Sequence, residues 1–222
     1  MCSSDLFQDR LPTNVQASAS TDRGIQIVGY DGFNYDYYQI TVNVGARTAT
    51  AAARYKVPAS GTGFGTGTTK VGSRAAGCHW LGGQITAEDV AAIKAGKPIT
   101  HALAVAVGND TLKYPAVGPA NRTDSDGATA YFGPYNMGRL LAIPPSTPMP
   151  AGLSQFSQAM WICCRDWGSY LVDRTGNWVW VVDTGENAPA YADVDDVNGS
   201  QGMAIINAVR PTTNAKNIPG HA

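Results

Sequence analysis

The sequence predicts a mainly β protein: a β-sandwich or jelly roll with two short helices packed outside it. Three observations carry this. Strand-like segments outnumber helical ones, turn signals join several neighbouring strands, and no βαβ repeat appears. No internal repeat of 20–50 residues is visible either, which sets solenoids and propellers aside. The chain has 222 residues, enough for one domain with its own core. It is 44% hydrophobic but only 15% charged, a balance that suits extracellular β proteins better than helical enzymes.

Residues 1–23 form a polar, turn-rich leader, and 24–222 read as a single β-sandwich domain truncated at its N-terminus. Met1-Cys2-Ser3-Ser4-Asp5-Leu6 resembles the translation of a sequencing adapter, which implies a reading frame cut at that point. Ile25 to Tyr30 is a strand, and Asp31-Gly32 a turn. Tyr37 to Val44 alternates, with Tyr38, Ile40, Val42 and Val44 on one face and Tyr37, Gln39, Thr41 and Asn43 on the other. Thr48 to Val57 is its partner. Residues 60–77, rich in Gly, Thr and Ser, are expected to form a surface loop that buries no core face. Thr86 caps a short helix that Gly96 ends. His101 to Val107 is a buried strand, 108–136 a long irregular connection, and Arg139 to Ile143 a short strand. Ser154 caps a second helix, ended by Gly168, whose Phe156, Ala159, Met160 and Cys163 share one face. Ser169–Asp173 and Trp178–Asp183 flank Arg174-Thr175-Gly176-Asn177, which predicts a hairpin. Ala204 to Val209 is a last apolar element.

Sixteen basic and 17 acidic residues give a net charge of -1. With no basic run there is no footprint for nucleic acid, and no apolar stretch reaches the ~20 residues of a membrane span. Beyond Cys2, three cysteines remain, Cys78, Cys163 and Cys164. An odd number argues against a full disulfide framework, and no CxxC spacing suggests zinc, so buried free thiols are expected and no metal. Nucleophile-elbow, zincin, Walker and dinucleotide motifs are absent, so no cofactor is expected.

Residues 79–183 carry the phrases HWLGGQITAEDVAAIKAGKPITHALAVAV, YPAV, MGRLLAIPP, PAGLS and DWGSYLVDRTG. In that order they resemble a family of uncharacterised bacterial and phage-associated proteins, over roughly half of the chain. The resemblance implies a secreted, concanavalin-like β-sandwich of the kind that handles polysaccharide, placed outside the cell or on a virion. Alginate-type jelly-roll lyases often carry Gln-Ile-His on a central strand; here Gln39-Ile40-Thr41 lacks the histidine, and their Tyr-Lys-Gly-Tyr signature is absent too.

The expected function is therefore a carbohydrate-active domain that binds or cleaves an acidic or neutral polysaccharide. The alternative is a non-catalytic virion or cell-surface structural or receptor-binding protein. A lyase needs a Tyr or His to take a proton, and Arg, Gln or Asn to neutralise a carboxylate. Glycoside cleavage needs carboxylates. The catalytic candidates are His101, Tyr37 and Asp173. The substrate-binding candidates are Gln39, Arg122, Tyr135 and Trp80. His101 and Gln39 are expected to face one cleft bordered by the 108–136 connection. The bland readings are a structural histidine, an Asx turn at Asp173 and an ordinary solvent face around Gln39.

Overall fold

The computed structural model describes residues 17–18, 22–60, 62–65, 72–182 and 199–212. The adapter-like hexapeptide, most of the leader, Asp183 and the C-terminal ten residues lie outside them. Strands outnumber helices, and the protein is mainly β.

The first five strands are β1 (Ile25–Val28), β2 (Phe33–Tyr38), β3 (Thr41–Asn43), β4 (Thr48–Thr50) and β5 (Ala53–Pro58). They form a three-stranded antiparallel sheet, ordered β1-β2-β5, and a separate β3-β4 ribbon. The turn at Asp31-Gly32 is present: the Asp31 carboxylate accepts from the Phe33 N–H, and Gly32 sits at φ +81°.

Tyr37 to Val44, by contrast, is not one strand. Gln39 adopts φ +49°, and its N–H and that of Ile40 leave the sheet to bond the carbonyls of Asp22 and Arg23. Backbone bonds to a neighbouring segment thus override an alternating pattern. The two faces separate differently as a result. Tyr37 is buried against Ile25 and Ile40, while Asp36, on the opposite face of β2, turns towards the rest of the molecule.

After α1 (Ala87–Lys94) come β6 (Leu103–Val107), β7 (Leu112–Lys113), α2 (Gly127–Ala130), β8 (Tyr135–Asn136), β9 (Leu140–Ala142), α3 (Gln155–Asp166), β10 (Ser169–Arg174), β11 (Val179–Trp180), α4 (Ser200–Ala208) and β12 (Arg210–Pro211). A five-stranded sheet runs β11-β6-β10-β9-β12. Its central strand pair, β6 and β10, is parallel, and every residue of β6 is buried. A strand covered on both faces reads as a continuous apolar run, and Leu103–Val107 is one.

The expected hairpin around 175–177 does not form. β11 pairs with β6, not with β10, so the turn passes over the end of β6, where Thr175 N–H bonds the Val107 carbonyl. Turn chemistry reports a reversal; it says nothing about a third strand lying between the two arms.

Both anticipated helices are present. Thr86 and Asp89 form a reciprocal capping box on α1, and Ser154 accepts from Ser157 N–H on α3. Phe156, Ala159, Met160 and Cys163 are all buried, and Gly168 takes φ +77° beyond the helix end. Two further helices, α2 and α4, bring the described total to four. α3 packs against α1, α4 and β9, so α1, α3 and α4 make a helical layer on the large sheet. Together with the two faces of β6 they enclose the main core, which includes Leu103, Val105, Leu141, Met160, Leu171 and Trp180. Each such side chain contributes about 1.5–3 kcal/mol by leaving water.

Residues 72–77, the end of the expected 60–77 surface loop, are not at the surface. Arg74 and Ala76 are buried, as are Cys78, His79 and Ile85 just after them, and Ala76 N–H bonds the Val172 carbonyl of β10. The abundance of glycine here serves close approach as well as freedom. A Cβ on Gly72 would stand 1.9 Å from the Cys78 carbonyl oxygen, so only glycine fits. This segment lies between the small sheet and the large one.

Candidate functional site

Two polar regions meet at the carboxyl ends of β6 and β10: an open groove, and a buried seam behind it. Carboxyl ends of parallel strands are where open α/β sheets commonly place ligands.

The seam begins with Asp36, fully buried on β2. One carboxylate oxygen accepts from the N–H groups of Ser73 (3.1 Å) and Trp80 (2.9 Å). The other faces His79 Nε2 at 3.3 Å, close to it but without the alignment of a hydrogen bond. His79 Nδ1 accepts from Leu81 N–H at 2.8 Å, so the neutral ring carries its proton on Nε2, towards Asp36. Burial pushes the Asp36 carboxyl up to about 6, against the two N–H bonds and Arg74. Burial, then Arg74, lowers His79 to about 4. The pair is thus a carboxylate and a neutral imidazole at pH 7.

Arg74 crosses the seam. It donates to the Trp80 carbonyl at 2.9 Å, lies 4.8 Å from the Trp80 ring centre, and sits 3.7 Å from Asp173. Asp173 owes its place to a bulge in β10 between Leu171 and Asp173. Regular alternation would put it on the same face as Leu171, which is fully buried in the core; the extra residue re-aims it. Burial raises its carboxyl to about 6, against Arg74. Tyr38 lies close by: burial, Asp22, Asp173 and Asp124 together raise its hydroxyl. Arg122 closes the seam by donating to the carbonyls of Gly72 and Arg74 and stacking over Tyr55 of β5.

The groove has a volume of about 530 Å³ and is lined by Gly108, Asn109, Asp110, Phe132, Arg174, Thr175 and Gly176. Phe132 is 76% exposed, a large ring left in water at the groove wall. Arg174 donates to both oxygens of Asp126 at 2.9 and 3.0 Å and has Asp124 at 3.7 Å. The Asp124 carboxylate also accepts the Tyr131 hydroxyl.

Of the residues singled out from sequence, Asp173, Arg122 and Trp80 come together in the seam, and Gln39 adjoins it through Tyr38, whose hydroxyl lies 3.4 Å from the Gln39 amide. Tyr37 does not: its ring belongs to the small core beside Ile25, and its hydroxyl accepts from Arg54. Tyr135 is half-buried on β8 against the main core. His101 lies elsewhere. Its Nε2 bonds Asp89 in the α1 capping box at 3.1 Å, and its Nδ1 faces the Ala102 carbonyl. It precedes β6, whereas the 108–136 connection leaves the strand's other end, about 16 Å away at ~3.3 Å per residue. The shared cleft of His101 and Gln39 is therefore not formed, because polarity along a strand does not reveal at which end a side chain finds its partner.

Asp36, His79, Arg74, Phe132 and Arg174 were not picked out as site residues from sequence. An aspartate inside the aromatic strand FNYDYY was a legible signal, since a lone carboxylate in a buried strand needs partners. Among the described residues no group of three or more His, Cys, Asp or Glu side chains converges as a metal site, and no helix is long and apolar enough to cross a membrane. Comparisons with protein-family models, curated proteins and solved structures returned no match.

Proposed function

We propose that this chain is a carbohydrate-active domain that holds a polysaccharide in the groove at the ends of β6 and β10. The observation that carries this is Phe132, an exposed ring that lines the groove together with Asn109, Asp110, Gly108 and Gly176. A ring stacks on the apolar face of a sugar, while amide, carboxylate and peptide groups bond its hydroxyls. On this reading the architecture is a sandwich variant, with the three-stranded sheet as the second layer across the polar seam. Asp36 bonding Ser73 and Trp80, and Tyr55 against Arg122, support that layering. The resemblance to secreted and phage-associated proteins, and an extracellular or virion-associated setting, belong to the same proposal.

Binding is the part the geometry supports best. Asp173, with its carboxyl held near 6, is the group a cleavage step would use as proton donor. The test is a polysaccharide panel read three ways: affinity electrophoresis for binding, absorbance for unsaturated products, and reducing ends for hydrolysis. Binding without product defines a binding module. Product formation lost in Asp173→Asn defines a hydrolase or lyase. Failure to retain any glycan defeats the proposal.

A further inference from the structure

We infer that the groove selects uncharged saccharides and rejects uronate polymers, a specificity that rests on the carbohydrate reading above. An acidic sugar is held most strongly by a cation free to meet its carboxylate, above all by a bidentate arginine fork. Among the described residues Arg174 is the only cation lining the groove. Its fork is already closed: Nη1 donates to both oxygens of Asp126, and Nη2 faces Asp124. A ligand carboxylate has to displace an internal one to reach it.

The nearby arginines of the seam are committed too. Arg122 holds two main-chain carbonyls beneath the Tyr55 ring, and Arg74 holds the Trp80 carbonyl beside Asp173. Asp110, also in the lining, is exposed, and no basic group lies within ion-pair distance of it among the described residues. Two carboxylates, Asp124 and Asp126, therefore share Arg174, and Asp110 in the lining adds a third negative charge. A second acid entering from solvent meets like charge, which costs free energy at an interface. A neutral hexose meets no such barrier. It finds a ring in Phe132 and an exposed acceptor in the Asp110 carboxylate.

The specificity residue is Asp126. It stands at the start of the α2 turn but makes no side-chain cap there, and its side chain is 53% exposed. Asp126→Asn therefore removes one of the two charges that neutralise Arg174, without removing a structural bond beyond that pair.

Wild type, Asp126→Asn and Phe132→Ala are compared by affinity electrophoresis and calorimetry with laminarin as the neutral glucan and alginate oligosaccharide as the uronate. Thermal melts confirm that each variant is folded. The expected result is wild-type binding to a neutral glucan and at least tenfold weaker binding to alginate. Phe132→Ala should lose the neutral ligand, and Asp126→Asn should narrow the gap by gaining alginate binding that salt abolishes. Wild-type preference for alginate that Phe132→Ala removes keeps the groove as the site but overturns the charge inference. An Asp126→Asn variant with unchanged selectivity overturns it as well. Retention of neither glycan overturns this inference, and binding indifferent to Phe132→Ala places the glycan outside the groove and overturns it as well, while the polysaccharide panel decides the carbohydrate reading itself.

Discussion

Asp36→Asn should make the protein more stable at neutral pH. Asp36 is fully buried, and its carboxyl is raised from 3.8 to about 6 chiefly by burial. A carboxyl whose folded pKa exceeds its unfolded one binds its proton first in the folded state. Its contribution therefore grows as pH falls from about 6 towards 4, and at pH 7 the folded protein bears the cost of a buried charge. About two pKa units correspond to roughly 3 kcal/mol. Asparagine keeps an oxygen for the Ser73 and Trp80 N–H groups and sheds the charge. Against this, its NH₂ faces the proton on His79 Nε2, a mismatch of about 1 kcal/mol. The variant should gain roughly 2 kcal/mol at pH 7, or about 4–8 °C in Tm for a chain of this size. The gain should vanish by about pH 4. Asp36→Ala lacks the acceptor and leaves two buried N–H groups unpaired, so it should be less stable than Asp36→Asn by roughly 2–6 kcal/mol. Urea unfolding followed by circular dichroism between pH 4 and 8 measures all three proteins. His79, whose lowered pKa acts in the opposite direction over the same window, is present in all three, and its coupling to Asp36 across 3.3 Å adds to the pH dependence of the differences. An Asp36→Asn variant less stable than wild type at pH 7, or a difference that does not change with pH, would refute the reasoning: the seam would then stabilise the charged carboxylate.

Two further predictions concern groups outside the groove. His101 has its pKa raised chiefly by the hydrogen bond it donates to Asp89, so its contribution is complete below about 6.5 and is lost as pH rises through its folded value. With its side chain 40% exposed, His101→Ala should cost under about 1 kcal/mol, more at pH 5.5 than at pH 8.5, in urea titrations at the two pH values. Cys78, Cys163 and Cys164 are buried free thiols, and burial raises all three, Cys78 to about 12. They should resist iodoacetamide at pH 8 in the folded protein and react fully in guanidinium, as counted by peptide mass; labelling of any of the three without unfolding contradicts their placement.

Local chemistry was legible wherever a residue's partner lies close in sequence. Thr86 with Asp89, Ser154 with Ser157, and Gly96 and Gly168 beyond their helices could be placed because capping acts over three or four residues. Leu103–Val107 announced its burial through composition alone, and the β-rich character followed from the turn spacing. The buried free state of the three cysteines followed from their odd number and spacing.

Only the tertiary structure decided how these pieces join. It placed β6 between the arms of a turn that reads as a hairpin, and made β6 and β10 parallel across more than sixty residues. It broke the alternating Tyr37–Val44 run at Gln39 because carbonyls at Asp22 and Arg23 were near enough to capture two N–H groups. The seam is the extreme case. Asp36 meets residues 37 and 44 positions away, and Arg122 reaches back 48 and 50. No periodicity encodes such partners, since each contact depends on loop closure and on burial that removes water as the competing partner. A polar residue read one by one therefore shows that it needs a partner, while the fold alone settles which partner lies within 3 Å.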